Sequence, residues 1–154
     1  MVFGNMPEND AGQIEGKEAA WLPIHLMLAE GHTAIRDSLK DLLEIETDIR
    51  VIGQTVLGRQ ALKLIRQMPV DVLIMDMDMP DVNSFEVTQQ VKERRLTTQV
   101  ILLSSHTDRD YLIHTLKAGA RGYILKDSVG QEIVEAGHKV HKGRYYLSRR
   151  MRHT

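Results

Sequence analysis

The sequence contains no cysteine. That excludes disulfides, thiolate metal centres and cysteine nucleophiles together, and it suits a reducing compartment, so a cytoplasmic protein is expected. No unbroken apolar run exceeds four residues, which argues against a membrane-spanning helix and against the apolar segment of a signal peptide. Charge of one sign is missing too: 20 Lys and Arg stand against 21 Asp and Glu, leaving a net charge of −1. The chain as a whole is therefore not built to bind polyanions. Internal repeats and low-complexity tracts are also absent, which sets aside solenoids and wholesale linkers. What is present is 154 residues, 42% hydrophobic and 27% charged, enough for one ordinary domain with a real core.

The charge is unevenly placed. Residues 1–22 carry Glu8, Asp10, Glu15 and Glu18 against Lys17 alone, lack an apolar period and end at Pro23. They are expected to form a flexible N-terminal extension to a domain spanning 23–148. After Glu135 no acid remains, whereas Lys139, Lys142, Arg144, Arg149, Arg150 and Arg152 follow. This pattern reads as a solvated helix end, with 149–154 a basic tail or the start of a linker, in preference to a nucleic-acid contact.

Between these ends the pattern alternates. IHLMLA (24–29), RVIGQT (50–55), DVLIMD (71–76), QVILLS (99–104) and RGYILK (121–126) are short and rich in Val, Ile and Leu. They read as strands apolar on both faces, as buried parallel strands are. Helical spacing separates them: Ile35, Leu39, Leu42 and Leu43; Ala61, Leu62 and Ile65; Phe85 and Val91; Leu112, Ile113 and Leu116 before the stop at Ala118-Gly119; and finally Ile133, Val134 and Val140. Repeated β-α units with right-handed crossovers imply an α/β fold, a doubly wound parallel sheet covered by helices on both faces.

In such sheets the functional crevice lies beyond the carboxyl ends of the strands. Those ends place Glu30, Asp76, Ser104 and Lys126 on four different strands. A carboxylate can attack phosphorus and form an acyl phosphate. That chemistry needs a hard divalent cation held by neighbouring carboxylates, and it benefits from an ammonium and a hydroxyl on the phosphoryl oxygens. Singly, each residue has a bland explanation as a helix cap or surface ion pair. Together at one crevice they point to phosphoryl chemistry.

The segments IHLMLAEGHTAIRDSL, DVLIMDMDMPDVNSFEV, VILLSS, LKAGARGYILKD and KGRYYLS resemble the receiver domain of bacterial two-component response regulators. The likeness is to the NarL/FixJ subfamily, whose receivers precede a LuxR-type helix-turn-helix. The resemblance covers about residues 24–148 and implies a flavodoxin-like (βα)5 sheet in the order 2-1-3-4-5. It implies Asp76 as phospho-acceptor, Ser104 as hydroxyl switch, Lys126 as phosphate-binding lysine and Tyr123 as the aromatic that moves with the hydroxyl. The implied partners are a histidine kinase or phosphotransfer protein, a second copy in a weak homodimer, and DNA only through an output domain missing from this chain. The module is then a signalling receiver and not an enzyme.

One departure stands out. Where the family places two adjacent acids after the first strand, this chain has Glu30-Gly31. The metal set is then Glu30, Asp76 and Asp78, the last expected at the pocket rim with its backbone carbonyl toward the ion. Losing a directly bound carboxylate should weaken Mg²⁺ by at least the roughly 10–100-fold that losses behind the ligands cost. Two functions are therefore carried forward: a phospho-accepting receiver, and a degenerate receiver acting without phosphorylation as a dimerisation or protein-binding module. With the pocket lacking its ion, Lys126 is expected to pair with Asp76 or Glu30.

Other motifs fall away on chemistry. Gly53 and Gly58 have the spacing of a Walker loop, but Arg59-Gln60 stands where Lys and a metal-binding hydroxyl are needed. A flavin phosphate loop after the first strand would meet Glu30. Ser104, Ser105 and His106 are neighbours on one strand end and cannot converge as a hydrolase triad. His138 and His141 lack an evident third metal ligand.

Overall fold

The computed structural model describes residues 22–94 and 96–153; the acidic extension expected at 1–22 lies almost wholly outside them. Strands β1 (Ile24–Ala29), β2 (Ile49–Thr55), β3 (Val72–Asp76), β4 (Gln99–Ser104) and β5 (Gly122–Leu125) alternate with helices α1 (Thr33–Glu44), α2 (Gly58–Gln67), α3 (Ser84–Glu93), α4 (Arg109–Ala118) and α5 (Val129–His141). All strand pairs are parallel and the order is β2-β1-β3-β4-β5, as expected. A sixth strand, β6 (Tyr146–Leu147), extends the sheet beyond β5, so the five-strand expectation is one strand short.

Alternation along the strands sorts the core into two layers. Met27, Ala29, Leu73, Met75, Leu102 and Tyr123 face α2, α3 and α4, packing with Ala61, Ile65, Val87, Val91 and Leu112. Leu26, Leu28, Val72, Ile74, Ile101 and Ile124 face α1 and α5, packing with Leu39, Leu43, Ile133, Ala136 and Val140. Strand β2 departs from the both-faces-buried expectation: as the sheet edge it leaves Arg50 and Gln54 exposed. The apolar residues of α5 turn inward, with Ile133 and Val140 fully buried.

Helix ends follow local chemistry. Asn83 caps α3, its side chain accepting from the Phe85 and Glu86 amides. Gly119 ends α4 at φ 108, the left-handed conformation anticipated at Ala118-Gly119. Helix α2 has no cap of its own at Leu57; Asp81, from the loop after β3, accepts from the Gly58 and Arg59 amides at 2.8 and 3.1 Å instead. Burial pushes the Asp81 carboxyl up, but those backbone donors outweigh it and hold it below the usual range. A Cβ on Gly58 would lie 2.2 Å from Val82, so the Walker-like glycine spacing is explained by close packing here. No helix among the described residues is long and apolar enough to cross a membrane.

Candidate functional site

The register of the sheet assembles the site. Ala29 pairs with Met75, so Glu30 leaves β1 beside Asp76, the last residue of β3. Leu103 pairs with Ile124, and Lys126 directly follows β5. By strand parity Glu30, Asp76 and Lys126 share the α1/α5 face, while Ser104 and Tyr123 share the other. The site thus divides into a charged cluster and a hydroxyl pair.

In the charged cluster, Lys126 Nζ donates to Asp76 Oδ2 at 2.7 Å and lies 3.5 Å from Glu30 Oε1. This is the pairing expected from the sequence. Asp76 is 3% and Glu30 1% exposed, so both carboxylates rely on that ammonium and on local donors. The Asp78 amide donates to Asp76 Oδ1 at 2.9 Å. Glu30 Oε2 accepts from the His32 amide and contacts His32 Nδ1, both at 3.0 Å. Glu30 Oε1, by contrast, is buried without a hydrogen-bond partner; its 3.5 Å contact with Lys126 is an ion pair without hydrogen-bond geometry. Arg36 closes the edge of the site by donating to the Glu30 carbonyl at 2.9 Å.

The hydroxyl pair lies behind Asp76. The Tyr123 ring is fully buried, and its hydroxyl is 2.5 Å from the His106 carbonyl and 3.0 Å from Ser104 Oγ. A phenol has one proton, and a carbonyl can only accept. The shorter contact therefore takes the Tyr123 proton, and the Ser104 hydroxyl donates to the phenolic oxygen. Burial pushes the Tyr123 phenol up, a shift that Ser104's donation partly offsets. Ser104 Oγ also accepts from the His106 amide at 2.9 Å. The imidazole of His106 stacks on Tyr111 with centroids 3.9 Å apart, and its Nε2 is 3.8 Å from Asp78 Oδ2. A cleft lined by Ser104, Ser105, Thr107, Leu125 and Lys126 opens beside the pair.

Of the residues read from the sequence, Glu30, Asp76 and Lys126 converge, and Ser104 with Tyr123 adjoins them. The Asp78 side chain stands out at the rim, 62% exposed. In this pocket the donor atoms lying within 4.8 Å of one another belong to Glu30, His32 and Asp76. Sequence reasoning assigned no role to His32, although it sits at the quoted strand end; its proximity to Glu30 was the available signal. As a cation site, the orphaned Glu30 oxygen and the Asp76 carboxylate fit a divalent ion. The third donor is an imidazole nitrogen, not the carboxylate that Gly31 replaces.

One buried acid also escaped the sequence. Glu132 of α5, 3% exposed, accepts at Oε2 from the Ser128 and Ser148 hydroxyls at 2.6 and 2.9 Å. At Oε1 it accepts from the Tyr146 hydroxyl and the Arg149 amide at 2.8 and 3.0 Å. Burial raises this carboxyl, but the four donors outweigh it and hold it below its ordinary range. Tyr146, beside this acid, is pushed well above the usual phenol range by burial and by Glu132. The residues after β6 are consequently tied to the domain: Arg149–Met151 forms a short 3₁₀ turn, and Met151 is buried.

Comparison with known proteins places this arrangement. Residues 26–137 match the model of the response regulator receiver domain. The chain is 32% identical over 131 residues to the transcriptional regulatory protein DegU of Brevibacillus brevis, covering 85% of this chain and 56% of that protein. It is 32% identical over 125 residues to the response regulator UvrY of Escherichia coli K12, covering 81% and 57%. The chain thus spans little more than half the length of these curated relatives. Among solved structures, the signal receiver domain of the response regulator NarL from Mycobacterium tuberculosis superposes with a TM-score of 0.76 at 31% identity, covering 80% of this chain and 99% of that one. Sheet order, pocket and sequence agree: the chain belongs to the response regulator receiver-domain family of two-component signalling, among its NarL-, UvrY- and DegU-type members.

Proposed function

We propose that Asp76 accepts a phosphoryl group from a histidine kinase or phosphotransfer protein and that the domain passes the signal on by a change at Ser104 and Tyr123. The observation that carries this reading is the Asp76 carboxylate itself, at the carboxyl edge of the sheet and held by Lys126 Nζ at 2.7 Å. Oδ2 attacks phosphorus as the phosphorus–nitrogen bond of the phosphohistidine breaks, and the departing imidazole takes up a proton. Lys126 then follows the charge from the carboxylate to the phosphoryl oxygens. A divalent cation on Glu30 and Asp76 supplies further neutralisation of those oxygens when bound. The Ser104 hydroxyl exchanges its bond to Tyr123 for a phosphoryl oxygen. Loss of that bond loosens Tyr123 and the His106 segment that its hydroxyl secures, which remodels the surface around α4 and β5.

Output goes to transcription through a DNA-binding element outside this chain, in line with relatives named as transcriptional regulatory proteins and spanned here over 56–57% of their length. A second reading has one observation in its favour: Gly31 removes a pocket carboxylate, and Lys126 contacts both that remain. In it the domain works unphosphorylated, as a dimerisation or protein-binding module. Incubation with a small acyl phosphate and a divalent cation, read by intact mass, separates the two. The phospho-accepting receiver gains one phosphoryl group that Asp76→Ala lacks; the degenerate receiver gains none, and Gly31→Asp restores the gain.

A further inference from the structure

We infer that the pocket holds a first-row divalent transition ion, of the Zn²⁺ or Co²⁺ type, in preference to Mg²⁺, with His32 Nδ1 as a ligand beside Glu30 and Asp76. The inference deepens the reading of the Asp76 pocket by naming the class of cation and its nitrogen donor.

Three observations converge. First, His32 Nδ1 lies 3.0 Å from Glu30 Oε2 and 4.0 Å from Asp76 Oδ2. Ligand atoms about 2.0–2.1 Å from a tetrahedral ion stand about 3.4 Å apart, which these two separations bracket. At 3.0 Å the imidazole nitrogen and the carboxylate oxygen share either the Nδ1 proton in a hydrogen bond or a metal ion. Second, the Glu30 carboxylate is 1% exposed and its Oε1 has no hydrogen-bond partner. Burying such an oxygen unsatisfied is costly. Lys126 meets Oε1 only as an ion pair at 3.5 Å, its hydrogen bond going to Asp76 at 2.7 Å; because His32 contacts the other oxygen, Oε2, an ion that also satisfies Oε1 engages both carboxylate oxygens. Third, the imidazole is 67% exposed, so its far nitrogen can keep a proton in water while Nδ1 presents its lone pair. One nitrogen and two carboxylates suit the middle and end of the transition series, whereas Mg²⁺ wants six oxygens in near-ideal geometry. Gly31 supplies no side-chain oxygen.

A second cluster serves as an internal control. Glu46, Asp48 and His138 also bring donor atoms within 4.8 Å, with the same kind of imidazole–carboxylate contact, His138 Nε2 to Asp48 at 2.8 Å; burial is what differs. All three residues are half-exposed, and no buried oxygen there lacks a partner.

The test is a Co²⁺ titration followed by visible absorption, with Zn²⁺ displacement, alongside calorimetric titration with Mg²⁺. It is run on the wild type, His32→Ala and His138→Ala, with circular dichroism confirming folding. The wild type is expected to bind Co²⁺ and Zn²⁺ at least tenfold more tightly than Mg²⁺. His32→Ala should lose about 10–100-fold of that affinity, and His138→Ala should bind as the wild type does. The inference is overturned if Mg²⁺ binds as tightly, if His32→Ala binds unchanged, or if His138→Ala abolishes binding. It is independent of acyl-phosphate labelling: a pocket that binds Zn²⁺ through His32 yet never labels at Asp76 refutes the phosphorylation reading alone.

Discussion

Replacing Glu132 by Ala should detach the end of the chain from the domain. The Glu132 carboxylate receives four hydrogen bonds, from Ser128, Ser148, Tyr146 and the Arg149 amide. Tyr146 and Ser148 are buried, at 2% and 0% exposure, so their hydroxyls lose their acceptor where water does not reach. Each stranded buried donor costs about 1–3 kcal/mol. Ser148 Oγ keeps the bond it accepts from the Leu125 amide, and the Arg149 amide lies nearer solvent. The sum is about 3–5 kcal/mol, which lowers Tm by roughly 10 °C in a domain of this size. Glu132→Gln is the informative partner. Its carboxamide oxygen accepts from Tyr146 and the Arg149 amide, and its NH₂ donates to serine hydroxyls that turn to accept. The charge assistance is lost together with the acceptor of the buried Ser148 hydroxyl, about 2–3 kcal/mol. Urea unfolding gives the totals, and amide hydrogen exchange locates them: protection at 146–151 should fall in Glu132→Ala before that of β1 or β3. A Glu132→Ala protein within 1 kcal/mol of wild type, with unchanged exchange at 146–151, would refute the reasoning.

Further outcomes follow from the same contacts. Because Glu132 titrates below its unfolded value, its contribution is complete above the ordinary glutamate range and disappears as pH falls through the lowered folded value. Wild-type stability should therefore drop more steeply on acidification than that of Glu132→Gln, as parallel urea titrations will show. Lys126→Ala leaves Asp76 and Glu30 buried without their ammonium and should cost about 3 kcal/mol in urea unfolding; adding Glu30→Gln should return part of the loss. Tyr123→Phe removes the bond to the His106 carbonyl and frees the Ser104 hydroxyl, at about 1–2 kcal/mol. Labelling of Asp76 should persist in that variant, because Tyr123 touches Ser104 and not the carboxylate.

Much of this molecule was legible from its sequence, for reasons that vary by element. The β1 and β4 runs coincide with the strands observed because each is bounded by a polar residue that ends the apolar run. β6 escaped because a two-residue strand has no periodicity; only the β5 edge that Tyr146 and Leu147 join makes it a strand. Asp76, Glu30 and Lys126 could be brought together in advance because strand ends in a parallel sheet converge. Glu132 could not. A glutamate in an amphipathic helix normally marks the solvent face, and three of its four donors come from a segment that follows the helix. His32 was hidden by the opposite circumstance, as it stands two residues from Glu30 in a turn whose direction only the fold determines. Asp81 capping α2 across 22 residues is a contact of the same non-local kind.

Site mapping of the modified protein decides whether Asp76 accepts a phosphoryl group. The wild type would be treated with a small acyl phosphate and either Mg²⁺ or Co²⁺, then digested and sequenced by mass spectrometry, with hydroxylamine to cleave acyl phosphates. A single hydroxylamine-labile phosphoryl group on the peptide containing Asp76, lost in Asp76→Ala, is the predicted result. An unlabelled Asp76 under both cations, in a protein that stays folded, would contradict the account.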